Sequence, residues 1–185
     1  MTARIRRLTA ALLLYILLAI PALAEPDLSD LTNYRAWSPM LSSSGQPSAE
    51  QLEAVRDAGF ERVVFLALTD SHGSIANEDS IVRGLGMEFV HIPVIWESPT
   101  PDDVALFLAL MSGAPEKKTL VHCQVNFRAS TFSFLYRVLH DDVPVGEAKD
   151  DLNSVWVPDD QWKQLIFDVL EANGVSPDCD TCLWE

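Results

Sequence analysis

The sequence predicts a single α/β domain built on a central, mainly parallel sheet with helices on its faces. Three observations predict it. Short apolar, β-branched runs at residues 62–68 (RVVFLAL), 87–93 (MEFVHIP) and 117–122 (KKTLVH) read as buried strands. Segments of helical periodicity separate these runs, as parallel strands require. A length of 185 residues suits one domain and is enough chain to bury a core without staples.

The elements follow in order. Arg4, Arg6 and Arg7 precede an apolar stretch over residues 8–20, Pro21 breaks it, and Ala22-Leu23-Ala24 offers small residues at a cleavage site. That is the layout of a secretory signal peptide over residues 1–24, cut before Glu25. The competing reading, an uncleaved membrane anchor, is disfavoured because the apolar stretch is short and broken by proline. The expected location is therefore periplasmic or secreted.

Residues 25–47 are polar and rich in Ser and Pro, and read as a loose lead-in with one short strand near 34–37. The folded domain is expected over residues 48–173. Ser48 with Gln51 forms a capping-box pattern for a helix that stops at Gly59. Residues 69–76 read as a loop and 77–84 as a short helix. Thr100-Pro101-Asp102-Asp103 is a helix start, and Val104, Phe107, Leu108 and Met111 form one apolar stripe. Phe132, Leu135, Tyr136 and Leu139 form a second stripe, in a helix starting near Ala129. A last helix starts near Pro158 and carries Trp162, Leu165, Ile166, Val169 and Leu170 inward. Residues 174–185 are a tail carrying Cys179-Asp180-Thr181-Cys182.

Charge narrows the function. Thirteen Lys and Arg stand against 27 Asp and Glu, a net charge of −14. Such a surface has no means of releasing nucleic-acid counterions, so no nucleic-acid partner is expected. After signal cleavage no membrane attachment is expected either. No Gly-rich nucleotide loop and no metal-ligand cluster occurs in the sequence, so neither cofactor nor metal is predicted. The sequence is silent on oligomeric state.

The chemistry concentrates in residues 120–137, LVHCQVNFRASTFSFLYR. A buried strand ends at Cys123, a short loop follows, and a helix begins. Open α/β sheets bind ligands at the carboxyl ends of their strands. The loop amides meet a helix N-terminus, an anion site by construction. Arg128 adds a planar fork suited to an oxyanion. Amides, helix dipole and guanidinium together favour negative charge at the Cys123 sulfur.

These residues resemble the signature of the cysteine-based protein tyrosine and dual-specificity phosphatases. The likeness extends to Phe89-Val90-His91-Ile92-Pro93-Val94, which is similar to the strand before that superfamily's general-acid loop, and to Glu147-Ala148 in the helix beyond. Gly45-Gln46-Pro47 and Ala58-Gly59-Phe60 resemble a bacterial branch, the phosphatase-like domain also found fused to β-lactamase-fold hydrolases. The resemblance spans about residues 34–172.

It implies a phosphatase-like fold and phosphoester hydrolysis through a cysteinyl-phosphate intermediate. Cys123 would be the nucleophile, Arg128 the holder of phosphate oxygens, and Glu97 the general acid, with Asp102 and Asp103 as rivals already explained by helix capping. Gln124, Val125, Asn126, Phe127 and Ser130 would bind substrate, a phosphorylated protein, a small phosphoester or another oxyanion. His122 precedes Cys123 on the strand, points to the opposite face, and is expected to orient the loop from behind.

One departure is plain. Four residues separate Cys123 from Arg128 where the phosphatase signature has five, and the loop has no glycine, leaving Asn126 as the residue best suited to a left-handed conformation. Four is the spacing of rhodanese-like sulfurtransferases, which carry a cysteine persulfide. That reading stays open, as does a non-catalytic oxyanion-binding domain. Outside the cytoplasm, Cys179 and Cys182 are expected to form a local disulfide.

Overall fold

The computed structural model describes residues 26–113, 115–179 and 182–184. The predicted signal peptide, residues 1–24, lies outside the described residues.

Five strands form one sheet in the order β1-β2-β5-β3-β4. These are β1 (Arg35–Ala36), β2 (Leu41–Ser44), β3 (Arg62–Phe65), β4 (Glu88–His91) and β5 (Thr119–His122). Only β1 runs antiparallel, against β2, and the remaining pairs are parallel. The domain is therefore α/β with a mostly parallel sheet, as predicted.

The helices are α1 (Ala49–Asp57), α2 (Glu78–Gly84), α3 (Pro101–Met111), α4 (Phe127–His140), α5 (Val145–Asn153) and α6 (Asp160–Ala172). Both predicted capping pairs are formed: Ser48 with Gln51 on α1, and Thr100 with Asp103 on α3. Each such cap is worth about 1 kcal/mol. Strand side chains alternate between two cores. Val64 and Val121 join the larger one with Phe107, Phe132 and Trp162, while Val63 and Leu120 join Leu52, Val55 and Val82 on the other face.

Two expectations need correction. The lead-in 25–47 is not loose: it holds β1 and also β2, which lies inside the sheet between β1 and β5. The Leu41-Ser42-Ser43-Ser44 run hid this, because its three serines are buried with hydrogen-bond partners instead of in apolar contact. Tyr34 donates to Ser42 Oγ at 3.1 Å, Trp37 Nε1 to Ser43 Oγ at 2.8 Å, and Ser44 Oγ to the Gly45 carbonyl at 2.8 Å. The helix after Cys123 begins at Phe127, two residues earlier than expected, because left-handed Asn126 (φ 75°) turns the chain directly into it.

The parallel registers pair Ser44 with His122, His122 with Phe65, and Phe65 with His91. The carboxyl ends of four strands thus finish in one row. The residues after His122, and those leading from β4 to α3, emerge side by side at this edge.

Candidate active site

A pocket of about 430 Å³ opens at that edge. Leu68, Ser71, Trp96, Glu97, Cys123, Gln124, Val125, Phe127 and Arg128 line it. The structure therefore brings together Cys123, Arg128 and Glu97, three side chains separated by up to 31 positions in the chain.

Backbone hydrogen bonds hold the loop from the β2 side. The Cys123 amide donates to the Ser44 carbonyl at 3.3 Å, and the Gln46 amide to the Gln124 carbonyl at 3.0 Å. Asn33 Nδ2 donates to the Val125 carbonyl at 3.0 Å, and Asn126 Nδ2 returns to the Asn33 carbonyl at 2.6 Å. Gly45 makes this approach feasible: a Cβ there would lie 2.7 Å from the Gln124 carbonyl oxygen. A side chain at position 45 would push the loop off its strand. Gln124 Nε2 in turn donates to the His72 carbonyl at 3.0 Å, tying the 69–76 loop to the rim.

Asn126 has a further consequence. It is the N-cap residue of α4, but its side chain reaches to Asn33 and makes no capping bond. The amides of Gln124, Val125, Phe127, Arg128 and Ala129 have no acceptor among the described residues. Unpaired amides at the start of a 14-residue helix form a ready anion site, reinforced by the helix dipole.

Arg128 points into the same region. It is 5% exposed, donates Nε to the Val94 carbonyl at 3.1 Å, and lies over the Trp96 ring at 5.2 Å. It makes no ion pair among the described residues. Trp96 belongs to an aromatic group with Phe127, Trp156 and Trp162, in which Phe127 and Trp156 stack at 4.8 Å. Glu97 stands exposed at the pocket edge in the turn after β4.

The other predicted residues fall elsewhere. Asn126 is buried and faces Asn33, away from the pocket wall. Ser130 is buried with its hydroxyl donating to the Phe127 carbonyl at 3.1 Å. His122 lies behind the loop, fully buried and stacked on Phe65 at 4.8 Å. Its Nε2 is 2.8 Å from Glu78 Oε1, a close contact without hydrogen-bond geometry. Cys179 and Cys182 are joined as a disulfide. Among the described residues no cluster of His, Cys, Asp and Glu is placed to hold a metal ion.

Glu78, Trp96, Gly45 and Asn33 carry parts of this site that the sequence reading did not assign. Gly45 entered only through the Gly45-Gln46-Pro47 likeness, and Glu78 and Asn33 carried no local signal, since their partners lie far away in the chain.

Comparison with known proteins settles the family. Over residues 29–155 the chain matches the family described as DSP-PTPase phosphatase fused to NAD+ kinase. The chain belongs to this phosphatase family. A DUF442 protein of Shewanella putrefaciens CN-32, described as a candidate phosphatase, is 31% identical with a TM-score of 0.72; the match covers 79% of this chain and 96% of that one. Tk-PTP in its active form is 17% identical with a TM-score of 0.65, covering 75% and 97%. The core catalytic domain of the PP-IP phosphatase SIW14 from S. cerevisiae is 12% identical with a TM-score of 0.61, covering 77% and 93%. The last two likenesses are of fold. No curated protein matches this chain. By family, then, the phosphatase is of the cysteine-based, tyrosine/dual-specificity type.

Proposed function

We propose that the phosphatase hydrolyses phosphomonoesters through a cysteinyl-phosphate intermediate on Cys123. One observation carries this reading: Arg128, 5% exposed and without a carboxylate among the described residues, shares a pocket with Cys123 and with the uncapped start of α4. A buried cation needs an anionic partner, and a phosphate supplies one.

The Cys123 sulfur attacks phosphorus in line, forming the S–P bond as the bond to the leaving oxygen breaks. Arg128 and the free loop amides hold the non-bridging oxygens, whose charge they are preset to receive. Glu97, at the pocket edge, gives its proton to the departing oxygen. Water then attacks the phosphocysteine, Glu97 takes the water proton, the S–P bond breaks, and phosphate leaves. Phosphorylated proteins and small phosphoesters both satisfy this chemistry.

The test pairs an aryl phosphate with thiosulfate. The expected result is phosphate release that Cys123→Ser lowers by about 10⁴-fold or more. Phosphate release that survives the substitution sinks the nucleophile assignment. A persulfide mass on Cys123 after thiosulfate, with no phosphate release, replaces hydrolysis by sulfur transfer; phosphate binding with neither reaction leaves an oxyanion-binding domain. We also propose that residues 1–24 direct export to the periplasm or beyond, which predicts that the exported protein begins at Glu25.

A further inference from the structure

Glu78 takes no part in the steps above, yet its carboxyl is only 5% exposed in the first turn of α2. A buried carboxyl is costly unless partnered. Its two oxygens are divided between two partners: Oε1 lies 2.8 Å from His122 Nε2, and Oε2 accepts from Gln46 Nε2 at 3.0 Å. His122 is the residue before Cys123. Gln46 reaches the residue after it, because its own amide donates to the Gln124 carbonyl at 3.0 Å. One carboxyl group therefore holds both chain neighbours of the sulfur, one through a ring and the other through a side chain and its backbone.

We propose that Glu78 is a positioning residue for the phosphatase reaction, fixing Cys123 from both sides through His122 and Gln46. The proposal rests on the hydrolysis reading given above. The ring is well placed to transmit position. It is stacked on Phe65 at 4.8 Å, Phe65 is stacked on His91 at 5.0 Å, and the His122 carbonyl accepts from the Leu66 amide at 2.9 Å. With the ring face and the backbone both held, the Glu78 contact governs the remaining in-plane freedom of His122. A loop carrying a nucleophile tolerates little such freedom, since a displacement near 1 Å costs about 100-fold in rate.

The two-sided contact dictates which substitutions matter. Glu78→Met fills similar volume and removes both acceptors. Glu78→Gln keeps one acceptor for Gln46 and offers a donor to His122. The ring can receive that donor by moving its proton to Nδ1, which has no partner among the described residues. The conservative variant therefore keeps the Gln46 bond and the close approach to His122.

Turnover of p-nitrophenyl phosphate reads the outcome. The expected result is a kcat about tenfold or more below wild type for Glu78→Met, with KM within about twofold, and recovery to within about threefold for Glu78→Gln. Wild-type kcat in Glu78→Met overturns the proposal, as does a Glu78→Gln enzyme no better than Glu78→Met. Should Glu78→Met fail to fold, Gln46→Met cuts one arm alone at a partly exposed position. It should lower kcat by about threefold with KM unchanged; an unaltered kcat again overturns the proposal. If the wild-type protein releases no phosphate, the hydrolysis reading fails separately. Positioning is then read from amide exchange at Cys123 and Gln46, whose N–H groups hold the loop. Exchange about tenfold faster in the variant that folds sustains the role, and unchanged exchange removes it.

Discussion

Arg62 and Arg128 are buried to the same degree, 5% exposed, at opposite ends of one sheet. Arg62 opens β3 and donates Nε to Glu88 Oε2 at 2.9 Å, while Lys117 meets the same oxygen at 2.8 Å. Arg128 follows β5 at the other end and, among the described residues, has a carbonyl oxygen and an indole face as its partners. Arg137, 6% exposed in α4, follows the Arg62 pattern with Asp151 at 2.7 Å. Where a buried guanidinium serves the fold, a carboxylate answers it. On the reading proposed above, Arg128 awaits an anionic substrate, and among the described residues no carboxylate forms an ion pair with it. The comparison sets two ion-paired guanidiniums apart from one that has no ion pair among the described residues.

The sharpest way to break that contrast is to shorten the two forks in parallel. Arg128→Lys should lower kcat/KM for an aryl phosphate by about 10²–10³-fold, as for loss of a preset oxyanion donor, with little change in melting temperature. Arg62→Lys should leave kcat/KM within about twofold and show its effect in the melting temperature. Equal kinetic losses from both would end the distinction. Glu97→Gln probes the open edge of the same pocket: kcat should fall by about 10²-fold for alkyl phosphates, and by less for p-nitrophenyl phosphate, whose leaving group needs no proton. Identical losses on the two substrates would exclude Glu97 as the acid.

Gly45→Ala tests the fixed side of the loop. Its Cβ would stand 2.7 Å from the Gln124 oxygen and 2.8 Å from Thr32 Cβ. Overpacking there should cost about 1–3 kcal/mol in denaturant unfolding and lower kcat as the loop shifts. Unchanged values of both would mean that the loop is not pinned through this contact.

The smallest effect belongs to the amino end of the sheet. Hydrogen bonds from Lys117, then Arg62, hold the Glu88 carboxyl below its ordinary value of 4.5. A depressed acid stabilises the fold when ionised, so the contribution is complete above about pH 4.5 and lost as pH falls through the lowered value. With the side chain 37% exposed, screening limits it to about 1 kcal/mol or less. Glu88→Gln should therefore melt slightly below wild type at pH 7, and the gap should close at acid pH. A gap that widens below pH 4.5 would reverse the assigned sign.

Parts of this architecture were legible before any coordinates. The runs at 62–68, 87–93 and 117–122 are apolar because their strands are covered on both faces, and the caps at Ser48 and Thr100 are local. Cys123, Arg128 and Glu97 were found through strand–loop–helix order and a family likeness, and they line one pocket. β2 escaped notice because its serines are buried against Tyr34 and Trp37, partners that no periodicity in Leu41–Ser44 announces. The start of α4 was misplaced because Asn126 spends its side chain on Asn33, 93 positions away, instead of on the helix. Glu78 belongs to no motif in the sequence; only the fold brings it to His122. Local chemistry was readable, and contacts that close over long stretches of chain were not.

The cysteine inventory has a practical outcome. Of three cysteines in the chain, Cys179 and Cys182 are tied to each other, leaving Cys123 as the free thiol. Cys123 is buried in the wall of the pocket, so under non-reducing conditions it is the one free thiol that an alkylating probe small enough to enter should modify. Label incorporated per chain would count competent molecules in a preparation, and inorganic phosphate should slow that labelling in proportion to its occupancy.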